Sequence, residues 1–395
     1  MKAGVVLSLI RDVPRGQCAG SAADLARPPR ELCVHRGVWA DEAGTSGALL
    51  FRHSLKGGPE RMNLFSRANA PRWSRRDLLR SHLALAGASA IGLDFWAQTG
   101  TAGTPETIEL WPSAPAGALH PTLVEVVEQT SSNPDYSSRR RKGILRPYMI
   151  ALPAAQPNGS AMLIIPGGSF VWNYYEHEGY HVAEILNRAG ISCFVLIYRL
   201  AQDGWSNPVS VGPADAQRAM RVIRANAVRF HLDRARVGVM GFSAGGFLTA
   251  SLATRHSASL YAPVDDADQF SARPWVAAPI YAVQSVDPAY AYAGVAPSLF
   301  GGPPTPAQIR EWSPDLNVTA AASPTFLVHA EDDVAVPVVN TLRLRDALLA
   351  AKISVETHLF ARGGHGFGAK AEPGSPDGPW LPLFIHFARE ARSLP

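Results

Sequence analysis

Short apolar runs and amphipathic stretches alternate from Thr107 to the end of the chain. The runs TIELW (107–111), RPYMIALP (146–153), SAMLIIPGG (160–168), ISCFVLIYRL (191–200), RVGVMGF (236–242), WVAAPIYAV (275–283), TFLVHAEDD (325–333) and SVETHLFARGG (354–364) predict strands. Between them the period changes. In Gly179–Gly190, Val182, Ile185 and Leu186 share one helical face and Gly190 is a stop signal. Asp215–Phe230 repeats the pattern through Ala219, Val222 and Ile223, with Asp215 expected near the helix start. Further helices are predicted directly after Ser243, over 338–352 and around 382–391. This alternation predicts an α/β fold, a mostly parallel central sheet with helices on both faces. No internal repeat or linker interrupts 104–395, which is read as one catalytic domain. The stretch SLFGGPPTPAQIREWSPDL (298–316) is loop-rich and is expected to form part of a lid or substrate wall.

The front of the chain has another character. Residues 1–61 show no sustained period and are rich in Gly, Arg and Pro. Met62 opens a lead-in to SRRDLLR (74–80), followed by the small-residue apolar run SHLALAGASAIGL. A twin arginine before a short apolar segment looks like a twin-arginine export signal. Residues 62–103 are therefore expected to be signal peptide and linker, cleaved near Ala90 or Ala97. Residues 1–61 are expected to be a disordered extension from an upstream start. The mature protein would be periplasmic or secreted, with the twin-arginine export machinery as its transport partner.

Charge agrees with that division. Residues 1–97 carry 14 Lys and Arg against 8 Asp and Glu, more than the +4 excess of the whole chain. The body is near neutral, so charge makes no case for a nucleic-acid partner. No apolar run reaches the roughly 18 residues of a membrane span, so no stable membrane insertion is expected after signal cleavage. The cluster Arg139-Arg140-Arg141-Lys142 follows the loop-like SSNPDYSS and reads as a solvated turn. Cys193 lies in an apolar strand and reads as an inert core thiol.

The chemistry begins at GFSAGG. It places Ser243 between Gly241 and Gly245, where a strand ends and a helix starts, the setting of a nucleophile elbow. A serine needs a histidine base, and the base needs a carboxylate to fix its tautomer. For such an elbow the partners follow in the order acid, then histidine. One later strand ends in Glu331, Asp332 and Asp333, and the last ends in GGHGFG with His365. Ser243, Asp333 and His365 satisfy the order, with Asp332 as reserve. His329 and His358 lie within strands and read as interior residues; His231 and His256 flank helices and read as surface. Developing oxyanion charge calls for backbone donors. Ala244, after the nucleophile, offers one N–H, and the turn Pro166-Gly167-Gly168-Ser169 offers those of Gly168 and Ser169.

A competing string is H-E-G-Y-H, His177–His181, which matches the zinc-protease signature H-E-x-x-H. Gly179 sits between the ligands, the helix is expected to start only there, and no third ligand follows in a matching context. The better reading is a helix entry with Glu178 at its positive end and His177 near the acyl pocket. His177 is accordingly a substrate-binding candidate, as is Trp172 within VWNYY, a residue suited to stacking on a sugar. The GWSNP loop (204–208) is a further candidate pocket wall.

Together the strings ELWPSAPAG, IIPGGSF, HEGYHVAEILNRAGISCFVLIYRL, DAQRAMRVIRANA, VGVMGFSAGGFLTASLAT, SPTFLVHAEDDVAVPVVNT and ARGGHGFG resemble the α/β-hydrolase superfamily. More narrowly they resemble its bifunctional feruloyl and acetyl-xylan esterase-like branch, BD-FAE-like. The resemblance favours Asp333, because Asp333-Val-Ala-Val336-Pro337 has the Asp-x-x-Val-Pro form of the acid loop. One departure is Ser169, where a third glycine is common. The resemblance implies a serine carboxylesterase for small acyl groups, often acetyl, on plant polysaccharide or its fragments, working without metal or organic cofactor. An esterase or arylformamidase-like hydrolase of another small acyl or formyl compound is the alternative.

Overall fold

The computed structural model describes residues 105–133, 136–369 and 380–391. The expected extension and export signal lie outside these residues. The strands are β1 (Glu106–Glu109), β2 (Val126–Gln129), β3 (Arg139–Lys142), β4 (Tyr148–Leu152), β5 (Ala161–Ile165), β6 (Ser192–Ile197), β7 (Val237–Phe242), β8 (Ala277–Ile280), β9 (Thr325–Ala330) and β10 (Val355–Phe360). The helices are α1 (His181–Arg188), α2 (Pro208–Ala225), α3 (Ser243–Arg255), α4 (Val295–Phe300), α5 (Pro306–Trp312), α6 (Val339–Ala350) and α7 (Trp380–Glu390).

Eight strands pair in the order β1-β4-β6-β5-β7-β8-β9-β10. β1 and β4 run antiparallel to their neighbours; from β6 to β10 every pairing is parallel. Every residue of β5, β6 and β7 is buried, so both faces of the central sheet are covered. This is the α/β-hydrolase fold. From β5 the chain steps outward to β6, then returns to lay β7 on the other side of β5. The loops after β5 and β7 therefore diverge and leave a crevice at their carboxyl ends, the usual place for a ligand in an open parallel sheet. Among the described residues no helix is long and apolar enough to cross a membrane.

Three local expectations are corrected. Arg139–Lys142 is strand β3, paired antiparallel with β2, rather than a solvated turn. Its cations are taken up in place: Arg140 pairs with Glu128, Arg141 with Glu125 and Arg139 with Glu176. Helix α2 starts at Pro208, so the end of GWSNP is helix and Asp215 lies well inside it. Asp215 is fully buried, and it accepts hydrogen bonds from Arg199 and from Trp111 Nε1. The proline at the first helical position is a start signal, but Gly212 and Pro213 inside the helix mask it. Within the loop-rich stretch 298–316, α5 forms behind a capping box between Thr305 and Gln308. Finally, helical structure reaches His177: one π-helical turn, Glu176–Tyr180, precedes α1.

Candidate active site

β7 delivers Ser243 to the crevice and α3 begins at that residue. Ser243 has φ 51°, in the left-handed region that L-residues rarely occupy. The flanking glycines explain how the turn is made. A Cβ on Gly245 would lie 2.1 Å from the Ile165 carbonyl oxygen of β5, and one on Gly241 would lie 2.4 Å from the Gly245 carbonyl oxygen. Any side chain at either position would push α3 off the sheet. The N–H of Ala244 belongs to the first turn of α3, where no intrahelical acceptor exists.

His365 reaches the serine from the loop after β10. Its Nε2 is 2.8 Å from Ser243 Oγ, and its Nδ1 is 2.7 Å from Asp333 Oδ2. Asp333 Oδ1 accepts the N–H groups of Ala335 and Val336, both at 2.9 Å. Burial opposes ionisation of Asp333. Hydrogen bonds from His329 and His365, the charge of His365 and the Val336 N–H outweigh it and hold the carboxyl well below the ordinary range. The three sequence candidates thus form one continuous hydrogen-bonded chain. Asp332 stands outside it: its Oδ1 accepts the Gly364 N–H at 2.8 Å and so shapes the turn before His365.

The loop after β5 faces the serine. Gly168, Ser169 and Phe170 have φ values of 130°, 58° and 63°. A Cβ on Gly168 would meet the Trp172 carbonyl oxygen at 2.2 Å, so this position admits only glycine. The Gly168 carbonyl accepts the N–H groups of Val171 and Trp172, which curls the loop back on itself. Among the described residues neither the Gly168 nor the Ser169 N–H has a hydrogen-bond partner. The Gly167 N–H is already used, donating to Glu178 Oε2 at 2.7 Å. An anion beside Ser243 Oγ is the natural acceptor for the free N–H groups of Gly168, Ser169 and Ala244.

Glu178 is the central finding about the H-E-G-Y-H segment. It is buried, and its second oxygen accepts the Tyr281 hydroxyl at 2.8 Å. Tyr281 in turn accepts the Gly368 N–H at 3.1 Å, and its ring lies 5.2 Å from that of His365. Burial and the adjacent Glu178 carboxylate push the Tyr281 phenol far up, so it stays a donor. One carboxylate therefore braces the loop after β5 against the loop that carries His365. The sequence pattern marks Glu178 only as a favourable helix-end charge and singles out no role for Tyr281.

His177 also serves the histidine loop. Its Nε2 lies 2.8 Å from the Gly366 carbonyl oxygen, and its Nδ1 contacts the Tyr136 hydroxyl. Both ring nitrogens are thus engaged by the protein rather than offered to a ligand. His181 Nδ1 meets the same tyrosine hydroxyl at 3.2 Å. Among the described residues no group of three or more His, Cys, Asp or Glu side chains is arranged to hold a metal ion. Trp172 is half-buried, with the Arg140 guanidinium 3.9 Å and the Lys142 ammonium 4.3 Å from its ring centre. The basic strand β3 thus packs on the aromatic segment that continues the loop after β5. Trp205 of the GWSNP stretch is buried.

The chain is 29% identical over 224 residues to an acetylxylan esterase of Xylanibacter ruminicola, a match covering 56% of this chain and 43% of that protein. It is 33% identical over 206 residues to endo-1,4-β-xylanase B of Butyrivibrio fibrisolvens, covering 52% and 32% respectively. The chain thus spans less than half the length of these two curated relatives. Among solved structures, an acetyl ester-xyloside bifunctional hydrolase from Caldicellulosiruptor lactoaceticus superposes with a TM-score of 0.56 at 27% identity, covering 72% of this chain and 93% of that one. The carboxylesterase Cest-2923 of Lactobacillus plantarum shares the fold, with a TM-score of 0.53 at 22% identity, covering 68% and 99%. The BD-FAE family model matches residues 149–348, a span that includes Ser243 and Asp333. The chain belongs to the BD-FAE family.

Proposed function

We propose that this protein is a carboxylic ester hydrolase that removes small acyl groups, acetyl foremost, from carbohydrate such as xylan fragments. The observation that carries this reading is the hydrogen-bonded chain Ser243–His365–Asp333 facing a loop with two free N–H groups. In the proposed reaction His365 Nε2 takes the proton of Ser243 Oγ as that oxygen attacks the ester carbonyl. Asp333 keeps the imidazole in the tautomer with Nδ1 protonated and stabilises the imidazolium that forms. The N–H groups of Gly168, Ser169 and Ala244 receive the oxyanion. His365 returns the proton to the leaving alcohol, and water then repeats the sequence on the acyl-enzyme to release the acid. No step calls for a metal or organic cofactor.

Acetyl and carbohydrate are supported by what the relatives act on, an acetylxylan ester and an acetyl ester-xyloside. The test is a panel of acetylated xylo-oligosaccharides together with p-nitrophenyl acetate, butyrate and ferulate esters and an aryl formamide. The expected order has the acetyl esters first, with acetylated oligosaccharide preferred in kcat/KM. Preference for the formamide, or equal rates from acetyl to ferulate, would overturn the substrate assignment. We also propose export through the twin-arginine machinery, on the strength of residues 74–93. N-terminal sequencing of the mature protein should begin shortly after Ala90 or Ala97; peptides from residues 1–61 would contradict the proposed start at Met62.

A further inference from the structure

Strand β9 carries a second histidine beside the acid. His329 is fully buried, four residues before Asp333. Its Nε2 lies 3.1 Å from Asp333 Oδ2 and 2.9 Å from the Val336 carbonyl oxygen. Both are acceptors, so Nε2 carries a hydrogen and shares it between them. Nδ1 lies 2.8 Å from Thr341 Oγ1 of α6, whose hydroxyl donates to it when the ring is neutral. Thr341 is also fully buried. Asp333 thus receives four donors. Two backbone N–H groups hold Oδ1, while His365 and His329 compete for Oδ2.

We propose that His329, oriented by Thr341, is a positioning residue for Asp333 that divides the hydrogen bonding of Oδ2 between two imidazoles. It thereby sets how strongly the acid stabilises the His365 imidazolium. His329 touches neither the serine nor the crevice and acts only through Asp333. The inference rests on the catalytic reading of Ser243, His365 and Asp333 given above. A histidine that merely filled the interior would affect stability alone. A histidine that shares the acid must also move the pH dependence.

The sign follows from the competition. Without the His329 donor, Oδ2 has only His365 to satisfy it, so the imidazolium is better stabilised and the acidic limb of kcat/KM moves to higher pH. The other groups facing His365 stay in place: Ser243 on its Nε2, the Tyr281 ring with Glu178 behind it, Asp332 through the Gly364 N–H and His177 through the Gly366 carbonyl. The experiment compares wild type with His329→Leu, His329→Gln and Thr341→Val, using p-nitrophenyl acetate across the pH range and thermal unfolding of each protein. His329→Leu should move the acidic limb up by about half a pH unit or more and lower the plateau kcat/KM about tenfold. His329→Gln keeps an N–H donor near the Nε2 position and should restore the limb toward wild type. Thr341→Val leaves the ring but frees it, and should shift the limb by a smaller amount in the same direction. It reads the same quantity if His329→Leu does not fold. Variants that lose thermal stability while every limb coincides with wild type would overturn the inference. Ser243→Ala, measured alongside, separates the two claims. An active Ser243→Ala removes the catalytic reading and this inference with it, whereas an inactive one with unmoved limbs removes the inference alone.

Discussion

Glu178 accepts the Gly167 N–H at 2.7 Å, in the loop where the next two N–H groups, those of Gly168 and Ser169, have no hydrogen-bond partner among the described residues. The contact decides which of the three N–H groups are free, and it ties the loop to Tyr281 and thence to Gly368. A carboxylate suits the position because both groups it meets are donors. Glu178→Gln presents one N–H₂ end to groups that want an acceptor. It should lower kcat at least tenfold with a smaller change in KM, and cost about 1–3 kcal/mol of stability. Steady-state kinetics with an unfolding curve measure both. A variant with wild-type kcat would deny Glu178 its bracing role.

The acid has its own pH signature. Asp333 is held well below the ordinary carboxylate range, chiefly against burial and by the His329 and His365 hydrogen bonds. A depressed native value adds stability that is fully present above the unfolded value, roughly pH 4, and is lost as pH falls through the native one. Asp333→Asn should therefore be less stable than wild type at neutral pH, and the gap should narrow below about pH 4. Urea unfolding at a series of pH values reads this directly. The same substitution should reduce kcat by about 10⁴ while leaving the backbone turn intact. A stability gap independent of pH would mean that the carboxylate charge is not what the site holds.

Trp172 has two cations over its ring, Arg140 and Lys142. Such contacts contribute about 0.5–2 kcal/mol each, depending on exposure. Trp172→Ala should loosen β3 from the aromatic segment that continues the loop after β5 and cost about 1–3 kcal/mol in thermal unfolding. It should alter KM for p-nitrophenyl acetate and for an acetylated oligosaccharide by similar factors. A loss confined to the oligosaccharide would instead assign the ring to sugar stacking.

What the sequence made legible follows from backbone constraint. The elbow at Ser243 could be recognised because the left-handed serine and the approach of α3 to β5 leave room only for glycine at 241 and 245. The order of Ser243, Asp333 and His365 could be recognised because each follows a strand of the same parallel sheet. The roles of Glu178 and His329 were hidden for the opposite reason. Glu178 meets partners 11 and 103 residues away. His329 sits in a wholly buried strand, where a polar residue and an inert one have the same pattern. Strand β3 was hidden because four consecutive cations look solvated until Glu125, Glu128, Glu176 and the faces of Trp172 and Tyr175 are brought to them by the fold.

The central claim is that Ser243 is the nucleophile activated by His365. Wild type and Ser243→Ala should be treated with a fluorophosphonate probe and assayed on p-nitrophenyl acetate from the same preparations. Wild type should be labelled stoichiometrically at Ser243, the variant should not be labelled, and its kcat should fall on the order of 10⁴-fold or more. Labelling at another residue, or hydrolysis undiminished in Ser243→Ala, would contradict that claim.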